Sequence, residues 1–264
     1  MTPSDAGFSG PQYYAEFIAP VTFGPFAAEL VRRVAQVPRG AVLELACGTG
    51  AVTRPLRQHL DAPVQLVATD LSAAMLDYAR AQAADLANVT FERADMLALP
   101  FAGGSFAAAV CGFGVMFPPD RQAALAEARR VLARGAPFHF SVWDAIEHNP
   151  HALAVAEVIE GLFPGDAELR FRTPYEMADA SRLRAMLAAA GFTDVQVETV
   201  RLPIADADPQ RMATGMILGT PRSAVIAQRG LDPHAVVAQA AEALARQGGD
   251  PYTGYGQALL VTAR

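Results

Sequence analysis

Glu44, Gly48, Gly50, Asp70 and Asp95 stand at the ends of successive apolar runs, and their types and spacing suit a small polar ligand. In Val42-Leu43-Glu44-Leu45-Ala46-Cys47-Gly48-Thr49-Gly50, a short apolar run meets a tight glycine turn. Glycines there let the backbone approach a ligand with no Cβ in the way, and amide N–H groups at the following helix start are expected to be free to bind it. Asp70 follows about 20 residues later, where an acid can accept hydrogen bonds from ribose hydroxyls. Proton-transfer candidates cluster at Asp144, Glu147, His148 and His151, with Tyr13 and Tyr14 nearer the start. His148 is the first choice as a base because an imidazole titrates near neutrality.

Those residues need strands to carry them. The pattern predicts strands over 42–45, 64–70, 89–93, 106–111 and 137–143, with helices over 53–60, 72–84 and 120–132 between them. Such alternation indicates right-handed βαβ units, a parallel sheet covered on both faces, and ligands at the carboxyl ends of its strands. Gly48, Asp70, Asp95, Cys111 and Asp144 all fall at such ends. Before the first strand, prolines open two short helices over 11–19 and 25–37, separated by 20–24. Beyond residue 144 the pattern predicts helices over 150–163 and 175–190, a strand over 193–202, interrupted helix over 211–246 and a last strand over 257–263.

Composition narrows the chemistry. The chain of 264 residues is 52% hydrophobic and 18% charged, so it is globular rather than disordered. It contains no lysine, which excludes lysine Schiff bases, lysine-bound pyridoxal phosphate and the lysine of a phosphate-binding loop. Two cysteines make neither a disulfide framework nor a zinc site. The net charge of −6 and scattered arginines argue against a nucleic-acid partner, and the lack of a leader or spanning segment points to a cytoplasmic protein without a membrane partner. A monomer or homodimer is expected.

A dinucleotide loop would need a third glycine where Thr53 stands. The stretch Glu44 to Gly50 instead resembles the first motif of the class I S-adenosylmethionine-dependent methyltransferases. Asp70 resembles that family's ribose-binding acid, and Ala94-Asp95-Met96-Leu97-Ala98-Leu99-Pro100-Phe101 its adenine-side segment. The stretches 106–117, 120–132 and 138–143 are similar to its fourth strand, following helix and fifth strand. The likeness covers most of 38–202 and points to the branch holding ubiquinone/menaquinone-type C-methyltransferases. Ala133-Arg134-Gly135-Ala136 departs from the family's Pro-Gly-Gly-like turn.

The resemblance implies an α/β, Rossmann-like doubly wound sheet of seven mostly parallel strands, helices on both faces and the last strand antiparallel. It implies a single domain over 1–264, with a helical arm over 1–38 and substrate-covering insertions at about 144–180 and 203–250. S-adenosylmethionine is the implied cofactor and S-adenosylhomocysteine its product. Glu44 would order the turn and the methionine end, Ala46 to Gly50 would face the amino-acid portion, and Asp70 would hold the ribose. Leu71 and Met75 would pack near the adenosine, Asp95 and Met96 would meet the adenine, and Cys111 and Gly112 would pass the methionine end. Cys47 and Cys111 should lie close together, shielded from thiol reagents by bound cofactor. The acceptor would be a small apolar or aromatic molecule, with Phe113, Phe117, Trp143 and Tyr175 among the residues around it. In-line methyl transfer needs no covalent intermediate, and the fourth strand's end offers no hard oxygen ligand for a metal. His148 and Tyr14 are the candidate catalytic groups. The alternative is a non-methylating, pericyclase-like catalyst or a binding protein that keeps the cofactor.

Overall fold

A computed structural model describes residues 9–34 and 39–264. The chain forms two compact units: one from Phe26–Asp144, Pro174–Val200 and Ala258–Arg264, the other from the described residues of Met1–Pro25 with Ala145–Thr173 and Arg201–Gln257. In chain order the helices are α1 (Gly10–Tyr13), a π-helix (Tyr14–Phe23), α2 (Gly24–Arg33), α3 (Thr53–His59), α4 (Ala73–Gln82) and α5 (Arg121–Val131). After them come α6 (Pro150–Leu162), α7 (Ala180–Ala189), α8 (Pro209–Ile217), α9 (Arg222–Gln228) and α10 (Pro233–Gly248). The strands are β1 (Ala41–Glu44), β2 (Gln65–Asp70), β3 (Val89–Arg93), β4 (Ala108–Gly112), β5 (Phe138–Trp143), β6 (Val195–Ala207) and β7 (Tyr252–Ala263).

The seven strands form one sheet in the order β3-β2-β1-β4-β5-β7-β6. β1 to β5 pair in parallel, and β7 runs antiparallel to β5 with Phe138 opposite Ala263. Every residue of β5 is buried, as expected of a strand covered on both faces. Beneath the sheet's centre, Leu30, Val31, Val42, Leu56, Leu66 and Val110 belong to one apolar cluster. Registers of Glu44 with Ala68 and with Val110 set the ends of β1, β2 and β4 side by side. β1 lies where the strand order reverses direction, the place where doubly wound sheets open a crevice.

In the other unit α8 packs on α10 and on the π-helix, and α6 packs on α10. Gly215 and Gly219 permit close approach: a Cβ on Gly219 would sit 2.8 Å from the backbone nitrogen of Tyr14. The predicted break at 20–24 is absent. Thr22 returns its hydroxyl to the Ile18 carbonyl and Gly24 N–H reaches back five residues to Ala19, so Pro20 sits inside a wide turn. Residues 35–38, which held the end of the predicted 25–37 helix, lie outside the described residues. The helix predicted over 175–190 starts late, because the Asp179 carboxylate accepts from the N–H groups of Ser181 and Arg182 and fixes the start there.

Candidate functional site

Glu44 ends β1 with only 1% of its surface exposed, and neither carboxylate oxygen has a hydrogen-bond partner. Burial pushes its pKa up to about 8; the neighbouring charge of Asp70 adds to the rise, and the Thr53 hydroxyl beside it, itself without a well-formed hydrogen bond, holds the rise back. An ionised carboxylate there needs a cation or donor to offset its desolvation. The sign of the pH effect follows from the raised folded pKa. At low pH the buried acid is neutral and the cost of burying its charge is absent, and stability falls as pH rises from about 4.5 through about 8, by up to about 5 kcal/mol. Ligand-free protein is therefore expected to melt at a lower temperature at pH 9 than at pH 6, and Glu44→Gln should flatten that slope. An equally steep slope in Glu44→Gln would exclude Glu44 as its source.

After β1 the turn alternates through left-handed residues, Ala46 at φ 49°, Gly48 at 56° and Gly50 at 91°. A Cβ on Gly48 would meet nothing within 4 Å, so the space above the turn is open. The amides of the turn itself are engaged within the fold. Cys47 N–H donates to Thr69 O at 2.9 Å, Gly50 N–H to Cys47 O at 2.9 Å, and Gly48 N–H to Asp70 Oδ2 at 2.8 Å. The second oxygen of Asp70 accepts from Ser72 N–H at 2.8 Å, and Ser72 in turn caps α4 through Met75 N–H. Asp70 thus ties the glycine turn to the start of α4 and still has lone pairs available, since a carboxylate can accept about four hydrogen bonds.

Leu71, directly after Asp70, is 58% exposed, an apolar side chain left in water at the rim of the turn. Met75 and Met96 are half-buried, whereas Asp95 is exposed, with Oδ1 accepting from Leu97 N–H at 2.9 Å. On β4, a Cβ on Gly112 would lie 2.7 Å from Val52 Cγ2. One built on Gly114 would collide with the Cβ of Ala46 and stand 2.6 Å from Cys111 Sγ.

Cys47 and Cys111 are free, buried and close enough to influence each other's ionisation. Burial raises both thiol pKa values, that of Cys111 to about 12. This overturns the expected shielding by cofactor, because the fold already conceals both thiols and keeps them protonated. Neither is expected to react with an aromatic disulfide reagent at pH 8 until denaturant is added; rapid native labelling would contradict this placement.

The aromatic residues divide. Phe113 and Trp143 are buried and stacked with centroids 4.1 Å apart, Phe26 meets both edge-on, and Trp143 stacks on Tyr175 at 6.1 Å. Phe113 and Trp143 thus fill a core rather than offer an open wall, which corrects their expected place around an acceptor, whereas Tyr175 is half-buried. Phe117 is 61% exposed.

The cofactor candidates Glu44, Ala46, Gly48, Gly50, Asp70, Leu71, Met75, Asp95, Met96, Cys111 and Gly112 all belong to the sheet unit. Tyr14 and His148 belong to the other. Tyr14 starts the π-helix with its ring 5.3 Å from that of Phe23, and His148 is exposed on a short 3-10 turn. Glu147 pairs with Arg172, and burial lowers the pKa of His151 to about 4, so His151 stays neutral near pH 7. The sequence reading missed Asn149. Fully buried, it accepts from Gln257 N–H at 2.9 Å and donates to the carbonyls of Gln257 and Ala145, bracing the turn that bears His148. An asparagine just before the Pro150 helix start was its one local signal.

A family model described as a methyltransferase domain matches residues 42–135, which span β1 to the turn after α5. Over 178 residues the chain is 30% identical to the 2-phytyl-1,4-naphtoquinone methyltransferase of Synechococcus elongatus, covering 61% of this chain and 75% of that protein. The chain belongs to the class I S-adenosylmethionine-dependent methyltransferases. It is also 40% identical over 100 residues to the demethylmenaquinone methyltransferase of Lactiplantibacillus plantarum, covering 36% of this chain and 41% of the relative. This chain thus spans about two fifths of that relative's length. Among solved structures, the phosphoethanolamine N-methyltransferase 2 of Haemonchus contortus in complex with S-adenosyl-L-methionine shares the fold, with TM-score 0.60 and 13% identity over 98% of this chain and 58% of that one.

The residues fit the family's cofactor. Glu44 is an orphaned buried carboxyl whose ionised form a cationic ligand would offset, Gly48 leaves open the space a side chain would fill, and Leu71 exposes an apolar surface that a base could cover. Among the described residues no cluster of three metal-ligating side chains occurs, and no helix is long and apolar enough to cross a membrane.

Proposed function

We propose that this chain transfers a methyl group from S-adenosylmethionine to a small apolar or aromatic acceptor. The observation that carries the reading is Glu44, a fully buried carboxyl with no partner at the end of β1, beside an open glycine turn. S-adenosylmethionine, when bound, supplies a sulfonium-activated methyl for in-line displacement. Glu44 faces the positive charge of its methionine end, and in doing so regains the electrostatic partner that burial denies it. Asp70 accepts from the ribose hydroxyls while keeping the turn in place through Gly48. Leu71 and Met75 pack on the adenosine, Asp95 accepts from the adenine amino group, and Met96 offers its N–H. Cys111 and Gly112 border the methionine end. Phe117 supplies an exposed aromatic surface for the acceptor.

Names of relatives point the same way, since demethylmenaquinone and 2-phytyl-1,4-naphtoquinone are apolar ring compounds. An acceptor hydroxyl or ring carbon that must shed a proton would use a base. His148 takes that role, with Tyr14 as the alternative group. The test is incubation with S-adenosylmethionine and a panel of reduced quinones and phenols, followed by mass spectrometry. A product heavier by one methylene, together with S-adenosylhomocysteine, is expected. Product formed without that mass gain would favour non-methylating catalysis on the same fold and contradict methyl transfer.

A further inference from the structure

Asp95 lies on a segment held from outside by an ionic fork. Its own turn is closed by Leu97 N–H to Asp95 Oδ1 and by Ala98 N–H to Asp95 O at 3.0 Å, which orients the carboxyl, and just before it Ala94 N–H donates to Asp70 O at 3.1 Å. The anchor on the other side comes four residues on, at the buried Leu99. Leu99 N–H donates to Glu127 Oε2 at 2.8 Å, and Arg130 donates to Leu99 O at 2.9 Å and to Phe101 O at 2.7 Å. Glu127 and Arg130 stand one turn apart on α5 and are themselves joined by two bonds of 2.6 and 2.8 Å. Arg130 holds the Glu127 carboxyl below the usual carboxylate range, so both stay charged near neutral pH. Two side chains thus satisfy both polar groups of the Leu99 backbone, as a paired strand would. Charge-assisted bonds of this planar geometry fix direction as well as distance.

We propose that Glu127 and Arg130 are positioning residues for base recognition, which set Asp95 and Met96 at the edge of the cofactor's adenine by holding Leu99 and Phe101. The inference rests on the reading that Asp95 accepts from the adenine amino group. Neither residue touches the cofactor. Their effect is to keep the acceptor of Asp95 in one place, so that a base presenting a donor is bound and one presenting an acceptor is refused. A lysine at position 130 would keep the charge but could not serve Glu127, Leu99 O and Phe101 O together.

The experiment compares S-adenosylhomocysteine with S-inosylhomocysteine, in which a carbonyl replaces the amino donor, by calorimetry on the full chain. Wild-type protein should prefer the adenosine compound by about tenfold or more, the worth of a hydrogen bond to a charged acceptor. Asp95→Ala should abolish the preference. Arg130→Lys should cut it to about threefold or less, while Glu127→Gln, which keeps an acceptor for Leu99 N–H, should stay within about threefold of wild type. Melting temperatures of each variant accompany the titrations. Equal weakening of both ligands in Arg130→Lys, with the preference intact, would mean a purely structural role and overturn the proposal. Preference lost in Asp95→Ala but kept in both Arg130→Lys and Arg130→Ala would overturn the clamp alone. No preference in wild type would overturn the adenine placement, and the clamp with it.

Discussion

Replacing Asp70 with alanine is expected to weaken S-adenosylhomocysteine binding about 100-fold or more. Two losses combine. The proposed bonds to the ribose hydroxyls are made to an ionised acceptor and contribute about 1.5–3 kcal/mol each. The same carboxylate holds Gly48 N–H and Ser72 N–H, each at 2.8 Å, so its removal also loosens the turn that lines the cradle and the start of α4. Asp70→Asn separates the contributions, because an amide offers one accepting oxygen in place of two. It should therefore fall between wild type and Asp70→Ala. Calorimetric titration checks the order, and a melt without ligand measures how much belongs to the loosened turn. Unchanged affinity in Asp70→Ala would remove Asp70 from the cofactor site.

Gly114→Ala is expected to destabilise the protein by about 3 kcal/mol, at the upper end for overpacking a rigid core. The added methyl would collide with Ala46 Cβ in the turn and press on Cys111 Sγ, which is fully buried near the end of β4 with little room to yield. Ala46 itself stands at φ 49°, a left-handed conformation that costs a non-glycine residue about 1–2 kcal/mol. Ala46→Gly removes both that strain and one of the two collisions. Urea denaturation of Ala46→Gly, Gly114→Ala and the double variant should then show the second change recovering part of the first. Strict additivity would mean that the two sites do not meet.

Local chemistry accounts for what the sequence revealed. Glu44, Asp70 and Gly112 end buried apolar runs, and turn residues follow them, so their place at neighbouring strand ends was readable without the fold. The strands β1, β2, β3 and β5 lie within a residue or two of the predicted bounds, and β4 begins at Ala108 rather than at 106. Errors arose where one local signal was outvoted. Pro20 reads as a helix stop, yet the turn runs on past it, with the Thr22 hydroxyl donating to the Ile18 carbonyl and the Gly24 N–H to that of Ala19. The residues before Asp179 carry a helical pattern, yet the cap decides where α7 begins. The engagement of the turn amides by Asp70, Thr69 and Cys47 left no signal in the sequence. Pairings such as Asn149 with Gln257, 108 residues apart, leave no periodic trace, so only the folded chain reveals them.

The most direct test of the cofactor cradle is a crystal structure of the chain grown with S-adenosylhomocysteine. Density for the adenine within about 3 Å of Asp95, the ribose hydroxyls at the same distance from Asp70, and the amino acid end beside Glu44 is the expected result. A ligand bound away from the ends of β1, β2 and β4, with Glu44 still unpartnered, would contradict it.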